Sequence, residues 1–509
     1  MRERFTQPLD SIFRHGAKLR SAIRHIVGNQ SLRPAKVASS ITVSPTLPDV
    51  FPFAVEMGKR FGCSHLIALG KSTALNLLRF DPPQGIIGVV PGKDLAMCRQ
   101  QNGFAATWIE GTFEGGDGIS LAPKTLKRSI IVCTDVIERL TNPVHLFEHL
   151  KKWLDHAPLC ILTSGASESA ENDVSPAEMR FGRWSVTEFE RLLSVAGFNL
   201  QFIGLTASNA HGFEKQTILA VIANNATVTS YQVKAPPDFR VVAFMAAYNE
   251  EDIIVESIKK WTDQGIEVHI LENWSTDKTY DLAKQLEARL PVTVERFPSA
   301  GPSRHFNWGA MLERIETLSK EIDADWFIRR GADEILTSPW PGVSYRDSLY
   351  LVDQAGFNCV DHTVINFHPV DNGFEPGTDY ERYFTYFEFG KDPCNFLQRK
   401  TWKNCGQRIS MVPTGGHDLP FRGRRVYPFK FLLKHYPVRS QSHGEQKIFR
   451  ERKARWNPEE RAKGWHIQYD AIEEGDVFLR PACEQEFFDE EDFNKNYLVE
   501  RLSGIGILR

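Results

Sequence analysis

The sequence has little of the cysteine patterning that marks metal or disulfide scaffolds. Its 8 cysteines are scattered along the chain and none forms a Cys-x-x-Cys pair. This spacing argues against both a zinc ribbon and a disulfide framework. Cys133 and Cys160 stand inside apolar runs, where a buried thiol is the simplest interpretation.

Long apolar runs and a strong excess of one charge are missing as well. No stretch reaches the roughly 18 apolar residues that a membrane span needs, and the N-terminus has no uninterrupted apolar segment of the signal-peptide type. The formal net charge is −3, from 61 basic and 64 acidic residues, which argues against a nucleic-acid-binding protein that depends on its overall field. We therefore expect a cytoplasmic protein without a nucleic-acid partner.

The first 45 residues form a basic extension. Eight arginine and lysine residues stand there against only Glu3 and Asp10, and apolar residues such as Leu9 and Phe13 are spread among them. This composition suits a helix that contacts a membrane surface peripherally. A solvated or domain-packed extension is the simpler alternative.

The rest of the chain is predicted to form more than one α/β domain, because 509 residues are too many for one ordinary core. Apolar runs such as Leu66–Leu69 and Ile130–Cys133 alternate with helical patterns, and Ser185 and Glu188 are spaced as a helix capping box. Strands separated by helices predict parallel, doubly wound sheets. The predicted division is a basic extension at 1–45, an α/β domain at 46–222, a linker at 223–238, a second α/β domain at 239–470 and an acidic C-terminal region at 471–509.

Polar segments follow three apolar runs in the second half of the chain. Tyr248–Glu251, Glu272–Asp277 and Gly331–Glu334 each come at the end of a predicted strand. The carboxyl ends of parallel strands meet at one edge of a sheet, where an acidic turn can hold a divalent cation against a diphosphate. The three segments together therefore predict one nucleotide-binding edge.

In this order the segments resemble family 2 glycosyltransferases of the GT-A fold, over roughly Phe239 to Asp470. The resemblance implies an inverting enzyme that moves a sugar from a nucleotide-sugar donor to a hydroxyl acceptor. It also implies a glycan or lipid-linked sugar as acceptor and a role in cell-surface polysaccharide synthesis. Such a reaction needs a nucleotide cradle, a counter-charge for the departing diphosphate and a carboxylate that takes the acceptor's proton.

The resemblance assigns the residues that bind the nucleotide sugar by their position in the motifs. The nucleotide cradle falls on Tyr248, Glu250, Glu272 and Asn273. Asp277 is a further candidate for the cradle. A helix N-cap is an equally open interpretation of Asp277, because a Ser-Thr-Asp sequence is common at helix starts for backbone reasons.

The metal site implied by the resemblance lies at the third segment. The family's Asp-x-Asp motif reads Gly331-Ala332-Asp333 here, so Asp333 keeps the carboxylate that holds Mg²⁺ or Mn²⁺. The first aspartate is replaced by Gly331, which removes a contact to the ribose or to the hydrated metal. His435 is the candidate for a C-terminal histidine on the metal or the diphosphate, and His417 competes for that role.

Arg329 and Arg330 directly precede this turn, and strand geometry sends them to opposite faces. One guanidinium is then placed to bind the diphosphate through bidentate contacts, with a solvated or ion-paired strand edge as the alternative. Asp418, in a Gly-rich loop, and Asp371 are both candidates for the general base. The basic stretch Lys447–Arg455 fits a phosphate-bearing acceptor or, more simply, a solvated helix.

The first half of the chain resembles class I S-adenosylmethionine-dependent methyltransferases from Leu66 to about Ala223. The best matches are Ile130–Leu140 and Arg183–Phe198. Both stretches belong to the parts of that family that mainly specify the fold. The resemblance therefore implies a Rossmann-like domain. Whether that domain is active depends on the residues that hold the cofactor.

Those cofactor positions depart from the family's pattern. The first strand runs into Ala68–Thr73 without the expected acid, and Val90-Pro91 stands where an acid binds the ribose hydroxyls. Each missing acid removes charge-assisted hydrogen bonds of about 1.5–3 kcal/mol, and Lys71 adds a positive charge beside a cationic sulfonium. We expect an inactive domain that binds S-adenosylmethionine weakly or not at all, and that packs on, orients or oligomerises the transferase.

Two other functions stay open on the sequence. One is an active methyltransferase, alone or combined with sugar transfer in a bifunctional chain. The other is a non-catalytic scaffold that binds sugar nucleotides or glycans, which the loss of an aspartate at Gly331 makes conceivable.

Overall fold

Two compact units make up the chain in this computed structural model, which describes residues 49–102, 106–114, 119–166, 184–206, 217–227, 233–390 and 398–504. The first unit is Met1–Thr229 with Asn494–Val499, and the second is Ser230–Phe493 with Glu500–Arg509. The break at residue 229 falls inside the stretch predicted as a linker, 223–238. The basic extension at 1–45, with its predicted membrane contact, lies outside the described residues.

A seven-stranded sheet forms the centre of the first unit, in the order β3-β2-β1-β4-β5-β7-β6. The strands are β1 (His65–Leu69), β2 (Gly85–Val90), β3 (Ala106–Glu110), β4 (Ser129–Cys133), β5 (Leu159–Gly165), β6 (Leu200–Thr206) and β7 (Thr217–Ala223). Neighbours from β3 to β5 are parallel, whereas β7 is antiparallel to both β5 and β6. The strand order reverses between β1 and β4, as in a doubly wound sheet.

Six α-helices flank this sheet, and one of them begins at the capping box that the sequence predicts. They are Val50–Arg60, Lys71–Leu78, Gly92–Asn102, Pro123–Leu126, Val144–Leu154 and Val186–Val195. Ser185 accepts a hydrogen bond from the amide of Glu188, whose side chain accepts one from the amide of Ser185, so the predicted capping box is present. Gly197, at φ 74°, follows the end of this helix. Its positive φ suits glycine because a Cβ would be strained there.

A six-stranded sheet forms the centre of the second unit, in the order β10-β9-β8-β11-β16-β13. The strands are β8 (Val241–Ala247), β9 (Glu267–Glu272), β10 (Val292–Arg296), β11 (Trp326–Gly331), β13 (Cys359–Val360) and β16 (Thr401–Lys403). The four strands from β10 to β11 are parallel, and β16 is antiparallel to β11 and β13. The expectation of two α/β domains is therefore confirmed.

An aromatic stack holds this sheet against the helix Trp308–Glu321. The ring centroids of Phe244 and Phe327 are 5.6 Å apart, and Trp402 lies 5.7 Å from Phe327. Met311 and other apolar side chains of the helix pack into the same cluster. Burial of such side chains contributes about 1.5–3 kcal/mol each. The core thus fixes the strands whose ends carry the polar segments.

A second sheet completes this unit, in the order β12-β17-β14-β15-β18. Its strands are β12 (Glu334–Thr337), β14 (His362–Phe367), β15 (Tyr386–Phe389), β17 (Phe431–His435) and β18 (Glu486–Phe487). The last of them belongs to the region predicted as an acidic, solvated tail, 471–509. Phe487 pairs with Tyr386 of β15, so this region takes part in the folded sheet.

The remaining α-helices belong to the second unit, except that the last two overlap the segment Asn494–Val499 of the first unit. They are Ile254–Thr262, Thr279–Glu287, Trp308–Glu321, Tyr345–Gln354, Tyr380–Tyr383, Gln441–Glu445, Pro458–Ala462, Glu490–Asn496 and Leu498–Ser503. In the part of the chain that the structure describes, every helix is too short or too polar to cross a membrane.

Candidate active site

Three neighbouring strands of the six-stranded sheet end side by side. Ala247 of β8 pairs with Glu272 of β9, and Ala246 of β8 pairs with Gly331 of β11. The polar segments that follow these strands therefore meet at one edge, as the sequence predicts. A cavity of about 760 Å³ opens at this edge, within the size range of small-molecule sites.

The cavity collects about half of the residues that the sequence analysis assigns to the site. Those that line it are Tyr248, Glu250, Asn273, Arg329, Asp333 and His435. His417, the competitor of His435, lines it too. The lining does not include the other five predicted residues, which are Glu272, Asp277, Arg330, Asp371 and Asp418.

Two of these five residues, both acids, brace the backbone around the cavity. Glu272 is fully buried and accepts hydrogen bonds from the amides of Trp274 and Ser275. Asp277 accepts from the amide of Thr279 at 2.9 Å, at the start of a helix, and from the amide of Glu251 at 3.1 Å. A hydrogen bond from a backbone amide to a carboxylate is charge-assisted, and it is shorter and stronger than one between neutral groups. Asp277 therefore braces the turn that leads into the helix Thr279–Glu287, whose N-cap position is Lys278.

Tyr248 and Asn273 contact Arg455, the last residue of the basic stretch Lys447–Arg455. The guanidinium of Arg455 lies 3.9 Å from the centroid of the Tyr248 ring, in cation–π contact. Its Nη2 atom donates to Oδ1 of Asn273 at 2.8 Å. Arg455 also lines the cavity. A flat aromatic and guanidinium surface beside an amide is the kind of surface on which a nucleobase stacks.

Asp333 lies in a buried network of charges. Lys447 donates from Nζ to Oδ2 of Asp333 at 2.8 Å and to Oε1 of Glu250 at 3.3 Å. Glu250 also accepts from Arg439. Burial alone would raise the pKa of Asp333, but Lys447 and His435 hold it well below its ordinary value. Burial alone would lower the pKa of Lys447, but Asp333 and Glu250 raise it above its ordinary value, so the side chain remains an ammonium.

The two strand arginines point to opposite faces of β11, as predicted. Arg329 donates to the carbonyl of Gly416 at 2.8 Å and its guanidinium lies 5.5 Å from the Trp308 ring. Its Nε atom is buried and has no hydrogen-bond partner among the described residues. Arg330 instead lies 4.7 Å from the Trp261 ring and bonds Ser257. Only Arg329 can therefore meet a ligand in the cavity.

Neither candidate for the general base reaches the cavity. Oδ1 of Asp418 accepts from Arg424 at 2.6 Å, and its Oδ2 accepts from Arg399 at 3.1 Å. Asp371 accepts from the amide of Gly373 and from the hydroxyl of Tyr383. The Gly-rich loop was correctly read as a loop, but its turns direct Asp418 to arginines rather than to the site.

The residues present do not fit the predicted divalent cation. Nε2 of His435 lies 3.7 Å from Oδ2 of Asp333, so the two predicted ligands do meet. No group of three His, Cys, Asp or Glu side chains suits a metal ion in the described parts of the chain. Mg²⁺ accepts one or two carboxylates plus phosphate oxygens, but here an ammonium already lies 2.8 Å from the same Asp333 oxygen. Mg²⁺ or Mn²⁺ at Asp333 stays a prediction.

Comparison with known families identifies part of the second unit. Residues 242–313 match the family model described as glycosyl transferase family 2. This stretch covers the first two polar segments, and the recognition of that family is confirmed for it. No curated protein matches the chain.

Solved structures similar to this chain include two methyltransferases. Human N-acetylserotonin methyltransferase in complex with SAM is 14% identical, with 41% of this chain and 57% of that chain covered and a TM-score of 0.26. A SAM-dependent methyltransferase from Aquifex aeolicus is 14% identical, with 35% and 94% covered and a TM-score of 0.26. S. aureus TarS 1–349 in complex with UDP-GlcNAc is 16% identical, with 26% and 36% covered and a TM-score of 0.19.

Proposed function

We propose that this protein, whose second unit carries a glycosyl transferase family 2 domain, moves a sugar from a nucleoside-diphosphate donor to a hydroxyl acceptor with inversion at the anomeric carbon. One observation carries the proposal. Tyr248, Asn273 and Asp333 follow three different strands and line one cavity. A glycan or lipid-linked sugar is the acceptor class that we propose with it, in cell-surface polysaccharide synthesis.

The donor's nucleoside fits the surface formed by Tyr248, Arg455 and Asn273. The ring and the guanidinium offer stacking, and the Asn273 side chain offers amide hydrogen bonds. Stacking of a base on such a surface contributes about 1–3 kcal/mol. This surface therefore supplies affinity for the nucleotide without taking part in bond cleavage.

The diphosphate meets cations that are not neutralised by carboxylates. Arg452 and Arg455 both line the cavity, and neither forms an ion pair with a carboxylate of the described residues. Arg452 lies 5.8 Å from the Phe306 ring. Their charge is therefore available to the negative charge that develops on the leaving group, which is where fixed cations lower a reaction barrier.

Glu451 is the carboxylate that we propose as the general base. It lines the cavity, and it accepts hydrogen bonds from the side chains of Asn249 at 2.8 Å and Gln446 at 3.3 Å. In contrast to Asp418, it is not ion-paired among the described residues. Its carboxylate takes the acceptor's hydroxyl proton while the acceptor oxygen attacks the anomeric carbon from the face opposite the diphosphate.

The test is a transfer or donor-hydrolysis assay with a panel of UDP-, GDP-, dTDP- and CDP-sugars. Proton NMR of the first product reports the anomeric configuration. We expect release of one nucleoside diphosphate and an inverted product. Retention of configuration, or no turnover and no binding with any of the four nucleotides, would contradict the proposal.

A further inference from the structure

Lys447 is a buried cation at the place where the sequence pattern predicts a metal. Only 6% of the residue is exposed, although its neighbour in sequence, Gln446, is exposed. The sequence left this basic stretch as either a contact for a phosphate-bearing acceptor or a solvated helix. Lys447 lies in the π-helical segment Gln446–Arg452. Such segments are rare and occur frequently at functional sites.

Its ammonium bridges the two acids that the family pattern offers to the donor. The Nζ atom is 2.8 Å from Asp333 and 3.3 Å from Glu250. The neighbouring acids are paired too, Asp252 with Arg439 and Glu334 with Lys400. The carboxylates at this edge are therefore already compensated by side chains, so a divalent cation on Asp333 would have to compete with a bound ammonium.

The replacement at Gly331 belongs to the same arrangement. A Cβ atom on Gly331 would lie 2.6 Å from Oδ1 of Asp333, closer than Cβ atoms come to another heavy atom in proteins. An aspartate at this position would therefore push the Asp333 carboxylate away from its present place beside Lys447. The missing first aspartate and the buried lysine are thus sterically linked.

We propose that Lys447 takes the place of the divalent cation, so that the protein binds its donor and releases the nucleoside diphosphate without a metal. The inference rests on the proposed function. When the bond between the anomeric carbon and the diphosphate oxygen breaks, its electron pair goes to that oxygen. Lys447, with Arg452 and Arg455, holds the resulting charge, while the acceptor oxygen forms the new bond and its proton goes to a carboxylate.

The first experiment uses the unaltered chain. Calorimetric titrations with UDP, GDP, dTDP and CDP are run in EDTA, and again with Mg²⁺ or Mn²⁺. We expect one nucleotide to bind with a Kd that differs by less than about 3-fold between the buffers. Binding that weakens about 10-fold or more in EDTA would overturn this inference and leave the proposed function standing. Absence of binding in both buffers would contradict the proposed function itself.

The second experiment tests whether Lys447 is the residue that makes nucleotide binding independent of a metal. In Lys447→Met, the carboxylates of Asp333 and Glu250 lose their ammonium and become free to hold a cation. We expect binding in EDTA to fall about 10-fold or more, with Mn²⁺ restoring part of it and with the EPR signal of Mn²⁺ reporting its capture. Lys447→Arg should keep metal-free binding.

Arg450→Ala is the matched control. Arg450 lies on the same segment but is exposed and outside the cavity lining, so its loss should change neither binding nor metal response. A Lys447→Met variant that folds and binds in EDTA like its parent would overturn the proposal. If that variant does not fold, the titration of the unaltered chain in EDTA still decides.

Discussion

Both units of this protein contain a parallel sheet whose central strands end next to each other, yet the residues beyond those ends differ in chemistry. In the first unit β1 leads into Gly70 and Lys71, and β2 leads into Pro91. In the second unit the strands lead into Tyr248, Asn273 and Asp333. The same architecture thus presents Lys71 and Pro91 after two strands of one unit, and a network of buried charges around Asp333 in the other. Function follows the residues grafted on the fold.

The strand ends of the first unit are occupied by contacts within the unit. Nζ of Lys71 lies 2.9 Å from the sulfur of Met97. The hydroxyls of Thr73 and Thr134 are 2.9 Å apart and link the segments that follow β1 and β4. These are hydrogen bonds between side chains of the unit itself, whereas the edge of the second unit borders a cavity.

The largest effect is expected from a substitution in the charged network at the edge of the second unit. Asp333→Asn removes the carboxylate that holds Lys447 in place, so that the cation no longer faces the leaving group. We expect donor hydrolysis and transfer to fall by about 10²–10³-fold, the range for the loss of one fixed electrostatic contact. Circular dichroism should show an intact fold. Unchanged turnover in a folded Asp333→Asn protein would remove this residue from the site.

The next effect separates Glu451 from the two carboxylates predicted on the sequence. Glu451→Gln should lower kcat by about 10²-fold, because a positioned base contributes 10²–10⁴-fold, and should leave nucleotide affinity nearly unchanged. Asp418→Asn and Asp371→Asn, outside the cavity lining, should leave kcat within a few-fold. The reverse pattern would restore Asp418 or Asp371 as the base.

A smaller effect distinguishes the two faces of β11. Arg329→Ala should weaken nucleoside diphosphate binding by about 1–3 kcal/mol, the range for a hydrogen bond to a charged partner. Arg330→Ala should leave binding near that of the parent and lower the unfolding free energy instead, since its bonds to Ser257 and backbone carbonyls are buried. Parent-like binding in both variants would show that neither arginine binds the diphosphate and that other cations do so.

The smallest effect is expected in the first unit. Calorimetry with S-adenosylmethionine should detect no micromolar binding, because Ala68 and Val90 stand where acids are expected and each lost acid costs about 1.5–3 kcal/mol. The nucleoside diphosphate titration of the same sample serves as the control for a folded protein. Micromolar binding of S-adenosylmethionine would instead favour the bifunctional chain.

Local patterns predicted the fold and one side of the site. Apolar periodicity located the strands whose ends converge, and the capping box at Ser185 was read correctly because both of its partners lie within four residues. Tyr248, Asn273 and Asp333 could be predicted for the same reason, since Tyr248 and Asn273 directly follow strands and Asp333 lies two residues beyond one. The sequence therefore sufficed to predict residues whose positions depend on their neighbours along the chain.

The sequence did not suffice to predict the contacts of residues whose partners lie far away along the chain. Lys447 is 197 residues from Glu250 in sequence, and Arg455 is 182 residues from Asn273. The basic spacing of 447–455 matches a solvated helix equally well, so only the packing of the chain reveals that Lys447 is buried. Asp418 lies outside the cavity lining for the related reason that a Gly-rich sequence does not specify where its loop points.

The most direct test of the central claim is hydrogen–deuterium exchange with and without the nucleoside diphosphate that binds. We predict slower exchange at 246–251, 271–277, 329–335 and 445–456, the segments that border the cavity of the second unit. Exchange at 66–73 should not change. Protection confined to the strand ends of the first unit, with none around Asp333 and Lys447, would contradict the account.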